Sequence, residues 1–106
     1  MQWIVEVLPI ALSEIETLPD DMQARFRRIV EMIQSHGLES VREPLVKHLE
    51  GKLWEMRMSG RDGISRAIYL TAAGRRVVVV RAFVKKTERT PARELEIARR
   101  RAKEVR

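Results

Sequence analysis

Apolar positions recur along the chain with two different periods, and the change of period marks its elements. Residues 2–8 are β-prone and apolar-rich until Pro9 stops the run, which predicts a first strand. Leu12, Ile15 and Leu18 then return at helical spacing and predict a short helix ending before Pro19. Asp20, with Gln23 three residues on, reads as a capping box. Met22, Phe26, Ile29, Val30 and Ile33 share one face of the helix that follows, and Gly37 closes it. Arg25, Arg27, Arg28 and Glu31 fall off that stripe and read as its solvated side.

Residues 38–52 have no clean period and contain Pro44 and Gly51, so they read as a connector. Beyond them the period is that of strands. Residues 53–58 predict a strand, residues 59–63 a turn, and residues 64–70 its partner. After a turn at 72–75, residues 76–84 form the most β-branched stretch of the chain. Residues 85–90 read as a polar loop in which Thr90 and Pro91 supply the N-cap and first position of a last helix over 92–105. The order β-α-α-β-β-β-α predicts an α+β fold in one domain spanning residues 1–106. Its sheet is mainly antiparallel, with two helices packed on one face and a C-terminal helix.

Alternation along strands assigns side chains to faces. Trp54, Met56 and Met58 share one face and read as core; Leu53, Glu55 and Arg57 share the other. Arg66 goes with Ile64 and Ile68, and Tyr69 with Ser65 and Ala67, its ring in the core and its hydroxyl at the rim. Arg81 goes with Val79, Phe83 and Lys85, opposite Val78, Val80, Ala82 and Val84. If the early helices cover the Trp54 face, the opposite face gathers Glu55, Arg57, Arg66, Arg81 and Lys85. Guanidinium groups match phosphate oxygens in pairs, so such a face suits a phosphate. Long basic side chains that merely keep an exposed sheet soluble are the competing reading.

Charge sharpens this picture. Lys plus Arg is 21 and Asp plus Glu is 15, a net +6, yet residues 1–74 hold 9 basic and 11 acidic groups while residues 75–106 hold 12 and 4. The positive field belongs to the C-terminal third and would attract phosphates or an acidic partner. Cysteine is absent, which excludes disulfides, thiol catalysis and thiolate metal sites. No segment approaches the roughly 20 apolar residues of a spanning helix, and the start lacks a basic leader, so a cytoplasmic chain without a membrane partner is expected.

GxxxxGK[ST], GxGxxG and CxxC are missing, and the serines have no nucleophile-elbow context. His36 and His48 are the only histidines and lack an organised carboxylate cluster, so neither metal nor cofactor is expected. What remains is chemistry in which the substrate brings its own nucleophile and the protein supplies charge and position. RNA cleavage by its own 2′-hydroxyl is such a reaction.

The run Leu49 to Arg57 (LEGKLWEMR), then Arg66 to Tyr69 (RAIY), then Phe83 to Thr87 (FVKKT) with Thr90 and Pro91, and a closing helix with Glu94, Ala98 and Ala102, resembles the HigB branch of the RelE/ParE toxin superfamily, phage-derived toxins of type II toxin-antitoxin systems. The likeness covers nearly the whole chain. It implies a RelE-like domain, ribosome-dependent cleavage of messenger RNA, arrested translation, and an adjacently encoded antitoxin, often with a helix-turn-helix domain. Carried over by position, it implies Arg66 and Lys85 at the scissile phosphate, and Arg57 and Lys86 positioning RNA, with Arg81 and Arg89 as further RNA contacts. Glu55, His48 and a deprotonated Lys85 are the candidates for general base, but Glu55 reads first as an ion-pair partner of Arg57 or Arg66 and His48 as a surface residue of the connector. A non-catalytic nucleic-acid binder and a phage-derived protein-interaction module remain the alternatives.

Overall fold

The computed structural model describes residues 2–86 and 88–106. Met1 and Thr87, the last residue of the FVKKT segment, lie outside the described residues. Strand β1 (Ile4–Val7) leads into helices α1 (Pro9–Glu16) and α2 (Asp20–His36), and a short 3-10 turn (Leu38–Ser40) follows. Four strands come next: β2 (Val46–Glu50), β3 (Leu53–Gly60), β4 (Gly63–Ala72) and β5 (Arg76–Lys85). Helix α3 (Ala92–Ala102) ends the order. The sheet runs β1-β5-β4-β3-β2, with β1 parallel to β5 and every other pair antiparallel.

This topology explains where the helices sit. After β1 the chain must cross to the far edge before β2–β5 can meander back to β1. It makes that crossing through α1 and α2, which therefore cover one face. Ala11, Ile15, Met22, Phe26, Ile29 and Ile33 pack there against Met56, Met58, Ala67, Tyr69, Val77 and Val79. On the other face α3 seats Ala98 over Leu53, Ile68, Leu70, Val78, Val80 and Phe83. Because β5 is buried on both faces, Val77 to Val80 reads as a continuous apolar run rather than an alternating one.

Several expectations need correction. The stretch read as a connector contains β2, a sheet edge with a single paired neighbour, a register shift between His48 and Glu50, and only Val46 fully buried. An edge strand with so little alternation carries almost no pattern. Helix α1 begins at Pro9, which both ends the strand and occupies the first helical turn. Neither expected side-chain cap forms: Pro19 and Pro91 occupy the N-cap positions of α2 and α3. The Gln23 amide donates to the carbonyls of Glu16 and Leu18 instead, at 3.2 and 2.8 Å. Gly37 does end α2, at φ 91°. The last helix stops at Ala102, short of 105.

Face assignment by parity holds on β3 and β4 and fails on β5. Ile68 pairs with Arg81 but Tyr69 pairs with Val79, so Val80 is an extra residue, a β-bulge. Val79 consequently faces α1 and α2 with Ala82, while Val78 and Val80 join Phe83 on the α3 face. Trp54 lies at the helix-face margin and is 38% exposed, whereas Met56 and Met58 are fully buried. Its truncation should cost less than the roughly 3–5 kcal/mol of a fully buried aromatic.

Candidate functional site

Helix α3 covers only part of its sheet face, and the uncovered part is basic. Strand register lines up three rows of side chains there: Lys47, Glu55, Ile68 and Arg81; then Arg57, Arg66 and Phe83; then Ser59, Ile64 and Lys85. Past the N-terminal end of α3, Arg57, Ile64, Arg66, Lys85, Lys86 and Glu88 line an open pocket.

Arg66 forms its floor. It is 1% exposed and ion-paired through Nη1 with Glu55, itself 0% exposed. The other oxygen of Glu55 accepts a hydrogen bond from the Thr90 hydroxyl at 2.8 Å. Thr90, read from the sequence as a helix cap, thus ties the start of α3 to the ion pair. Arg66 Nε and Nη2, and Arg57 Nε, are buried with no hydrogen-bond partner among the described residues. Unmatched buried donors of this kind are costly and are usually held for a ligand or solvent. Burial works against the charge on Arg66 and Glu88 works for it, but an arginine keeps its proton.

Lys85 is held below the ordinary lysine range, first by burial and then by repulsion from Arg66 and Arg57; Glu88 opposes the shift and Lys47 adds to it. A larger share of Lys85 is therefore neutral near physiological pH than for a free lysine.

The other candidates separate. His48 pairs across the strands with Trp54, and its ring stands edge-on to that indole at 5.0 Å; it borders a second recess with Arg66 but does not line the basic pocket. Its Nε2 contacts the Gly51 carbonyl at 2.8 Å, so that nitrogen carries the proton. His48 is not placed to serve a reaction at the pocket. Glu55 is the buried ion-pair partner of Arg66 and the acceptor of the Thr90 hydroxyl. Arg81 also stands apart, bound by Glu94 (2.6 Å to Oε1) and Glu14. Arg89 lines a second recess on the far side of the Glu55–Arg66 pair. Tyr69 is core, and burial pushes its hydroxyl up to about 12.

Glu14 explains where much of the C-terminal charge goes. Where β1 ends, the edge of β5 is open, and Glu14 accepts the Ala82 amide at 3.2 Å while Arg101 donates to the Val80 carbonyl at 2.8 Å. Burial pushes Glu14 up, yet Arg101, the Ala82 amide and Arg81 outweigh it and hold the carboxyl below its usual range. With Arg76 on Glu6 and Arg99 on Glu50, four arginines of the basic third are ion-paired to carboxylates elsewhere in the chain. Sequence reasoning missed Lys47, Glu88 and the true role of Thr90: Lys47 sat in the supposed connector, and the other two depend on how the loop before α3 folds back.

Among the described residues no group of three His, Asp or Glu side chains could hold a metal ion. None of their helices is long and apolar enough to cross a membrane.

Three solved structures share this architecture. The fold is RelE-like. It matches a mutant of the E. coli toxin RelE in the free state (TM-score 0.64, 15% identity, all of both chains). It also matches the archaeal RelE–RelB complex from Pyrococcus horikoshii OT3 (TM-score 0.59, 22% identity, 79% of this chain and 96% of that one). A third match is the toxin-antitoxin complex RelBE2 from Mycobacterium tuberculosis (TM-score 0.56, 17% identity, 80% of this chain and 100% of that one). The chain belongs to the phage-derived Gp49-like protein family (DUF891), whose model matches residues 13–103. None of the curated proteins matches it.

Proposed function

We propose that this protein is the toxin of a type II toxin-antitoxin system, a HigB-like endoribonuclease that cleaves messenger RNA on the ribosome without a metal. The observation that carries the reading is the pocket of Arg57, Arg66, Lys85 and Lys86, in which Arg57 Nε and Arg66 Nε and Nη2 are buried with no hydrogen-bond partner among the described residues. Membership of a phage-derived family and a RelE-like fold support it.

The chemistry follows from the charges. Neutral Lys85 takes the 2′-hydroxyl proton, the 2′-oxygen attacks the adjacent phosphorus, and the bond from phosphorus to the 5′-oxygen breaks. The departing oxygen keeps that electron pair and takes a proton from solvent at the open pocket mouth. Arg66 and Arg57 stabilise the extra negative charge at phosphorus, and donors already fixed by packing do so without reorganising. The partner that restrains the activity is an antitoxin encoded beside the toxin; the RelE–RelB and RelBE2 structures are such complexes.

Expression of the chain alone should arrest growth and translation, and coexpression of the adjacent gene should relieve the arrest. Normal growth at verified soluble expression contradicts an active toxin.

A further inference from the structure

Arg66, paired with Glu55, is a wall shared by two recesses. On one side lies the pocket of Arg57, Lys85 and Lys86; on the other, Lys47, His48, Leu49, Glu55, Arg89, Thr90 and Leu95 surround a second recess under the start of α3. Arg66 and Glu88 line both. Lys47 stands directly across the strands from Glu55, and Arg57 directly across from Arg66. The cations Lys47, Arg57, Arg66 and Lys85 therefore step obliquely over four adjacent strands. At ordinary strand and residue spacings the track is roughly 20 Å long, enough to follow a single strand over a few nucleotides.

The second recess has the composition a nucleotide needs. Lys47, Arg66 and Arg89 outnumber the carboxylates of Glu55 and Glu88, and Glu55 is already paired with Arg66, while Leu49 and Leu95, both half-buried, supply apolar surface for a base. The buried donors of Arg66 sit between the recesses with no partner among the described residues. We propose that this recess is a second subsite for single-stranded RNA, in which Lys47 holds the phosphate next to the one bound by Arg57, Arg66 and Lys85. The proposal rests on the ribonuclease reading for the identity of its ligand. It adds a binding residue on β2.

The test uses the full chain and a short, fluorescein-labelled RNA carrying 2′-O-methyl groups throughout, which cannot be cleaved by 2′ attack, with binding followed by fluorescence anisotropy across a salt series. Lys47→Ala should weaken binding about five-fold and reduce the slope of log affinity against log salt by about 0.7, the loss of one phosphate contact to a single strand. Lys47→Arg should retain binding. Arg28→Ala removes an equal charge from the solvated side of α2 and should leave affinity and slope unchanged. Equal losses in the Lys47→Ala and Arg28→Ala variants, or no loss in Lys47→Ala, overturn the subsite. Because the strand cannot be cut, the two readings fail separately: absence of cleavage with this binding pattern intact rejects the ribonuclease alone, and cleavage with Lys47→Ala binding unchanged rejects the subsite alone.

Discussion

Arg66→Ala should unfold in urea at a far lower midpoint than the parent chain, a loss of roughly 3–5 kcal/mol. Alternation alone places Arg66 on the sheet face opposite the early helices, as an exposed cation. Arg66 is instead sealed against Glu55, and both are buried. Removing one partner leaves the other charge uncompensated in a dry environment, and for a domain whose whole stability is about 5–15 kcal/mol that is a large share. Glu55→Ala should cost a similar amount. Replacing both at once, Glu55→Leu with Arg66→Met, removes both charges at nearly conserved volume and should recover most of the stability while restoring no cleavage. That pattern separates holding the fold from acting on phosphate. An Arg66→Ala unfolding free energy within about 0.5 kcal/mol of the parent, the range of ordinary surface changes, contradicts the buried pair.

Lys85→Ala should have the opposite profile: cleavage falls by about 10²–10³-fold, the range for losing a positioned proton acceptor or charge-stabilising donor, with no loss of stability. The lysine is half-buried and its pKa is lowered by burial and by Arg66 and Arg57. Its folded value lies below its unfolded one, so between the two the unfolded chain binds more protons and stability rises with pH. Below the folded value the cost of holding the charged form is fully present, and Lys85→Ala removes it. Activity through neutral Lys85 should likewise rise with pH until the lysine has lost its proton. Lys85→Arg keeps the charge and abolishes that dependence, because arginine does not deprotonate. A Lys85→Arg variant with the parent pH profile contradicts the proton-accepting role.

Much of the architecture is legible in one sequence because the strongest patterns coincide with the most buried elements. The stripe of Met22, Phe26, Ile29 and Ile33 marks α2, and strict alternation places Glu55, Arg57 and Arg66 on one face. The failures are those of non-local structure. A single bulged residue at Val80 reverses the alternation between Val79 and Phe83, and no local property of four successive valines marks it. Thr90 satisfies every local rule for a helix cap, yet its hydroxyl crosses to a carboxylate 35 residues away. Arg81 looked like a fourth site cation until Glu14, 67 residues distant, and Glu94 closed on it. For Thr90 and Arg81 a long-range polar partner, which periodicity cannot see, decides the side chain's role.

The most direct test of the central claim is the chemistry of the ends left on ribosome-bound message. Attack by the 2′-hydroxyl on a phosphate held by Arg57, Arg66 and Lys85 leaves a 2′,3′-cyclic or 3′ phosphate on one fragment and a 5′ hydroxyl on the other. A 2′-deoxynucleotide on the 5′ side of the cut should abolish cleavage, and excess EDTA should not, provided the ribosomes are checked to remain intact. Message that is protected but uncut would identify a binder, and fragments bearing a 5′ phosphate and a 3′ hydroxyl would contradict the mechanism.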